Sequence, residues 1–159
     1  MNITLITVGR IKESYLRDAV AEYAKRLQKY CKLEIIEVAD EKTPDGASFA
    51  LEEQIRQKEG ERILKVIRDD AYVITLEIQG KMYDSVAFAK ELEQKTVYGT
   101  SHIQFVIGGS LGLSREVCKR SNQAISFSQM TFPHQLMRVI LLEQIYRSFR
   151  IISGEPYHK

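Results

Sequence analysis

The chain has 159 residues, 44% of them hydrophobic and 28% charged, with 23 Lys and Arg against 21 Asp and Glu for a net charge of +2. That size and balance describe one ordinary globular domain. They exclude a disordered polyelectrolyte and a uniformly cationic nucleic-acid binder. They leave room for a basic face, because residues 1–33 carry seven basic against three acidic side chains, residues 34–61 three against nine, and residues 115–159 seven against three. Two basic ends flank an acidic segment, and such a distribution is compatible with nucleic acid as a partner.

Residues 3–8 are rich in β-branched side chains and stop at Gly9, the pattern of a buried strand. Leu16, Val20, Tyr23, Leu27 and Tyr30 then recur at intervals of four and three, which predicts an amphipathic helix of about five turns. Residues 33–38 read as a second strand and 39–47 as a polar loop with an Asp-Gly turn signal. Ser48 is placed to cap a helix over 49–67, with Glu52 and Glu53 in its first turn and Gly60 weakening its middle.

A third strand over 72–77 is expected to end in a tight turn at Gln79-Gly80, followed by a helix over 85–98. Residues 103–107 form a fourth strand that runs into Gly108-Gly109-Ser110-Leu111-Gly112, and a short helix over 114–120 comes next. Residues 124–128 are the fifth strand, and Pro133 fits the first turn of a long helix reaching about Ile152. Strands and helices alternate throughout, so the expected fold is α/β, a mainly parallel sheet flanked by helices, in one domain over 1–159.

Cys31 and Cys118 are far apart and show no metal-ligand spacing, so two reduced thiols and no metal site are expected. The first ten residues lack the pattern of a secretory leader, and no apolar run is long enough for a membrane span, which predicts a cytoplasmic protein.

Three loops carry residues suited to a ligand: 76–81, the glycine cluster after the fourth strand, and 127–135 with His134 at the start of the long helix. Each follows a strand, and parallel strands bring such loops to one edge of a sheet. The glycines fit neither G-x-G-x-x-G nor a Walker A loop, which argues against a phosphate cradle. The last helix is apolar nearly all round, as expected of a helix that is part core and part subunit interface. Glu143 and Arg147 on it are spaced for a surface ion pair, and His102 is expected in solvent. The chain ends in Tyr157-His158-Lys159, where His can act as a base and Tyr can stack on a nucleobase.

With TLEIQGK (75–81), FVIGGSLGL (105–113), SFSQMTFPHQLMRVILLEQIYR (126–147) and the terminal PYHK, the whole chain resembles the RlmH family of small SPOUT-class methyltransferases. The resemblance implies a SPOUT fold with a C-terminal trefoil knot and a homodimer. It also implies S-adenosyl-L-methionine held at Leu76, Gly108, Phe127, Ser128, Gln129, Met130, Thr131 and Phe132. The implied activity is methylation of N3 of a specific pseudouridine in 23S rRNA on the assembled ribosome. For the chemistry, His158 is preferred over His134 as base or relay, because a mobile tail can close over a substrate. Tyr157 is the positioning group and Arg138 the positive charge that favours a deprotonated imide. The rival readings are a non-enzymatic ribosome-binding module and an α/β enzyme of another class that binds a nucleotide phosphate.

Overall fold

The computed structural model describes residues 1–159. The elements are β1 (Asn2–Val8), α1 (Ser14–Leu27), β2 (Lys32–Val38), α2 (Phe49–Val66), β3 (Tyr72–Met82), α3 (Ser85–Val97), β4 (His102–Val106), α4 (Arg115–Arg120), β5 (Gln123–Ser126) and α5 (His134–Ile152). All strand pairings are parallel and the sheet order is β2-β1-β4-β3-β5. The C-terminal ends of β3, β4 and β5 therefore lie side by side.

Hydrophobic residues on both faces of the strands make two cores. Ile3, Leu5, Ile103 and Phe105 face α1, α3 and α5, where Leu27, Phe88, Leu92, Leu141, Leu142 and Ile145 pack. Ile6, Val8, Val73 and Val106 face α2 and α4, represented by Ile63 and Val117. Each such fully buried side chain contributes about 1.5–3 kcal/mol. Ser48 caps α2 as the sequence reading expects, its Oγ accepting from the Leu51 N–H, and Ser114, expected as the first residue of the short helix, caps α4 instead, its Oγ accepting from the Val117 N–H.

Four expectations change. Helix α1 stops at Leu27, a turn early, because the N–H groups of Tyr30 and Cys31 both bond the Leu27 carbonyl and turn the chain into β2. Gln79-Gly80 is not a tight turn. β3 continues to Met82, and Leu76 and Lys81 both sit opposite Ile125, so residues 77–80 form an excursion within the strand. His102 is half-buried and not free in solvent: its Nε2 lies 2.7 Å from Thr4 Oγ1, and partial burial lowers its pKa. Gly60 is there for contact: a Cβ would fall 2.2 Å from Ser114 Oγ, so its absence lets α2 approach the start of α4.

The extra apolar residues of α5 are absorbed largely within the chain. Tyr146 contacts Tyr23 and Tyr30, and Phe149 stacks on Tyr30 at 5.5 Å. Leu136 stays exposed, as do Met130 and Phe132 just before the helix.

Candidate functional site

A cleft of about 330 Å³ opens at the shared C-terminal edge of β3, β4 and β5. Leu76, Gly108, Phe127, Ser128, Met130, Thr131 and Phe132 line it, joined by His134 and Met137 from the first turn of α5; Gln129 does not. The glycine loop folds back on itself. Gly109 bridges Gly112, Gly112 takes φ +82°, and a Cβ on Gly108 would fall 2.8 Å from the Gly112 backbone. Only bare backbone fits there, so the loop offers peptide groups to a ligand at close range. On the facing wall, Ser126 Oγ donates to the Ser128 carbonyl at 3.0 Å and the Met130 N–H donates to Ser128 Oγ at 3.0 Å, which fixes the 126–130 loop.

Glu77 is the only Asp, Glu, Lys or Arg lining the cleft, and the sequence reading passed over it in favour of Leu76. Thr75 Oγ1 donates to its carboxylate at 2.6 Å and Cys118 Sγ at 3.4 Å. Burial and this carboxylate push the Cys118 thiol up to about 11, so it is an inert thiol at neutral pH. The His134 imidazole is held below its ordinary pKa by burial and by the Arg138 charge, so it is neutral at pH 7.

Arg138, read from sequence as a cation facing substrate, has another place. Its side chain is 1% exposed; Nη1 donates to Glu37 Oε2 at 2.8 Å and Nη2 to the carbonyls of Val8 and Gly9 at 2.8 and 2.9 Å. It ties α5 to the ends of β1 and β2, one turn from His134, and presents no free face to the cleft.

The C-terminal tail is docked rather than loose. Tyr157 Oη donates to Glu143 Oε1 at 3.0 Å, and its ring meets Tyr146 edge-on at 5.0 Å. The Arg147 guanidinium covers that ring at 4.7 Å, and Arg147 Nη1 lies 3.2 Å from His158 Nδ1. The Glu143–Arg147 pair is thus a half-buried anchor for the tail and not a surface ornament. Burial and Glu143 push the Tyr157 hydroxyl up to about 12, which keeps it protonated: it can position a group but not serve as a base. Glu143 and Arg147 stand nine and thirteen residues beyond His134, roughly 14–20 Å along the helix at its 1.5 Å rise. Within one chain the tail and the cleft stay apart.

The description "Predicted SPOUT methyltransferase" belongs to a family model that matches residues 1–158. The chain belongs to this SPOUT methyltransferase family. Over all 159 residues and the full length of each relative, it is 65% identical to the ribosomal RNA large subunit methyltransferase H of Bifidobacterium adolescentis and 62% identical to that of Clostridium acetobutylicum. A probable methylase family protein from Haemophilus influenzae Rd KW20 shares the fold at a TM-score of 0.53 and 16% identity, over 99% of this chain and 70% of that one.

Proposed function

We propose that this protein is a cytoplasmic, S-adenosyl-L-methionine-dependent methyltransferase of large-subunit ribosomal RNA. In this reading it acts as a homodimer on the assembled ribosome and methylates N3 of a specific pseudouridine in 23S rRNA. The observation that carries the reading is the cleft. Loops from three strands converge on it, with a wall of bare glycine backbone, aromatic and aliphatic side chains suited to an adenine, and one carboxylate, Glu77, suited to a ligand with positive charge. The names of the relatives supply the RNA. The trefoil knot belongs to the same proposal, as what membership of the SPOUT family implies.

When bound, S-adenosyl-L-methionine would supply an electrophilic methyl group; transfer to N3 would exchange an S–CH3 bond for an N3–CH3 bond, leave a neutral thioether and require a base for the N3 proton. The chain holds the two reactants in register, an effect worth several kcal/mol in oriented systems. Neutral His134, in the cleft itself, is ready to take a proton. His158 and Tyr157 reach a cleft by way of a second subunit, whose docked tail lies over the first, and this is what a homodimer contributes.

Calorimetry with S-adenosyl-L-methionine, followed by methyl incorporation into ribosomes lacking the modification, tests the proposal. Micromolar binding and one methyl per ribosome are expected. Absence of both returns the protein to a ribosome-binding module without chemistry.

A further inference from the structure

Glu77 is a half-buried carboxylate that forms no ion pair. By contrast, the half-buried Glu41, Glu143 and Glu155 meet Arg62, Arg147 and Arg150. Glu77 also lines the cleft, which no Lys or Arg enters and where His134 is neutral at pH 7. The cleft therefore carries an uncompensated negative charge. We propose that Glu77 is the charge-selecting residue of the donor site: its carboxylate meets a cationic centre of the methyl donor, the sulfonium or the α-ammonium. The inference rests on the methyl-transfer reading above and assigns the residue that tells the donor from adenosine compounds without positive charge.

Two observations carry it. The first is how the carboxylate is held. The buried Thr75 hydroxyl donates to Glu77 Oε2 at 2.6 Å, and Cys118 Sγ donates to Glu77 Oε1 at 3.4 Å. Both donors are neutral, because the Cys118 thiol, pushed up to about 11, keeps its proton. They fix the side chain without cancelling its charge. Each oxygen spends one lone pair on them and keeps another for a partner in the cleft.

The second observation is where the backbone puts Glu77. Leu76 and Lys81 both sit opposite Ile125, so Glu77 is the first residue to leave the β3–β5 ladder. The excursion sets it at the strand end where the glycine loop and the 126–132 loop converge.

The selection follows from charge. A carboxylate drawn partly out of water loses solvation, and a ligand without positive charge returns nothing for it. A cationic ligand group returns a charge-assisted contact. S-adenosyl-L-methionine carries net positive charge, whereas a phosphate-bearing ligand would meet repulsion at this carboxylate.

Calorimetry on the full chain tests this with three ligands: S-adenosyl-L-methionine, S-adenosyl-L-homocysteine, which keeps the ammonium but has no sulfonium, and 5′-methylthioadenosine, which has neither. Glu77→Gln keeps an acceptor for Thr75 and removes only the charge. It is expected to weaken S-adenosyl-L-methionine by about tenfold, the scale of one hydrogen bond to a charged group, and to leave 5′-methylthioadenosine within about twofold. An equal loss for S-adenosyl-L-homocysteine places the contact at the ammonium; an unchanged affinity for it places the contact at the sulfonium. An S-adenosyl-L-methionine affinity that stays within about twofold of wild type, or equal losses on all three ligands, overturns the role of Glu77. Should Glu77→Gln fail to fold, wild type alone decides: rising salt is expected to weaken S-adenosyl-L-methionine more than 5′-methylthioadenosine, and equal responses overturn the proposal. Wild type that binds none of the three overturns the methyl-transfer reading itself.

Discussion

Single atoms decide the sharpest features of this site. A Cβ at Gly80 would stand 2.6 Å from the Ile125 carbonyl carbon and 2.8 Å from that of Ala124, with no flexible side chain to give way. Gly80→Ala is therefore expected to cost about 2–3 kcal/mol in urea unfolding, the range of an overpacked core. Arg138→Met leaves the carbonyls of Val8 and Gly9 without their donor while the half-exposed Glu37 turns to solvent, and the expected loss is about 1–3 kcal/mol, the range for unsatisfied buried polar groups. The pH dependence has two opposed parts. His134 and His102 have lowered pKa values, so the stability tied to their neutral forms is present above the ordinary histidine range and lost as pH falls through their folded values. Glu59 is raised by burial, so protonation favours the fold as pH falls into the carboxylate range. Urea midpoints should accordingly decline between pH 7.5 and 5.5, and His134→Gln should flatten part of that decline. Residue identity alone told where loops meet, since parallel strands force it. It did not tell that Arg138 is spent on two backbone carbonyls, because a cation on a helix shows no sign in sequence of which groups lie across from it.

Elements were legible where local signals are strong. The cap at Ser48 and the β-branched runs of β1, β2, β4 and β5 place their elements to within two residues. The β3 excursion was not legible, because Gln-Gly reads locally as a turn, and only pairing with β5 on both sides of it keeps the strand going. The tail shows the same limit in reverse. Terminal residues fray by default, yet Glu143, Arg147 and Arg150 of α5 bind Tyr157, His158 and the Pro156 carbonyl. Glu143→Gln removes the charge that holds Arg147 and weakens the acceptor for Tyr157. Faster amide exchange over residues 155–159, with exchange in the sheet unchanged, is the expected result. Deleting residues 157–159 is expected to leave S-adenosyl-L-methionine affinity within about twofold while abolishing methyl transfer, since the tail touches no part of the cleft in its own chain. Retained transfer would reduce the tail to a clasp for α5.

For the molecule as a whole, the net charge of +2 conceals two basic ends of the chain, which the fold brings together at α1 and α5. Helix α1 packs against α5, with the Arg26 guanidinium over the rings of Tyr23 and Tyr146 and with Lys29 paired to Glu155. The two basic termini are neighbours within one subunit, so a second copy is not needed to join them. In the proposed homodimer, a second copy would bring its tail to a cleft that lies some 14–20 Å along α5 from the tail's own anchor. Sedimentation near twice 18.3 kDa at micromolar concentration is the expected state. Charge reversal must then be placed with care. Arg17 donates to the carbonyls of Ile11 and Lys12, and Arg26 pairs with Glu22, so reversing either disturbs the fold as well as the charge. Lys25 is exposed and makes no side-chain hydrogen bond or ion pair, which makes Lys25→Glu the clean probe of the basic face. A ribosome-binding face predicts a higher KM for ribosomes and a shallower salt dependence for this variant, with kcat and unfolding midpoint unchanged, because a phosphate-facing cation contributes to binding and not to the chemical step. An unchanged KM across 50–200 mM salt would move the RNA-binding face away from α1.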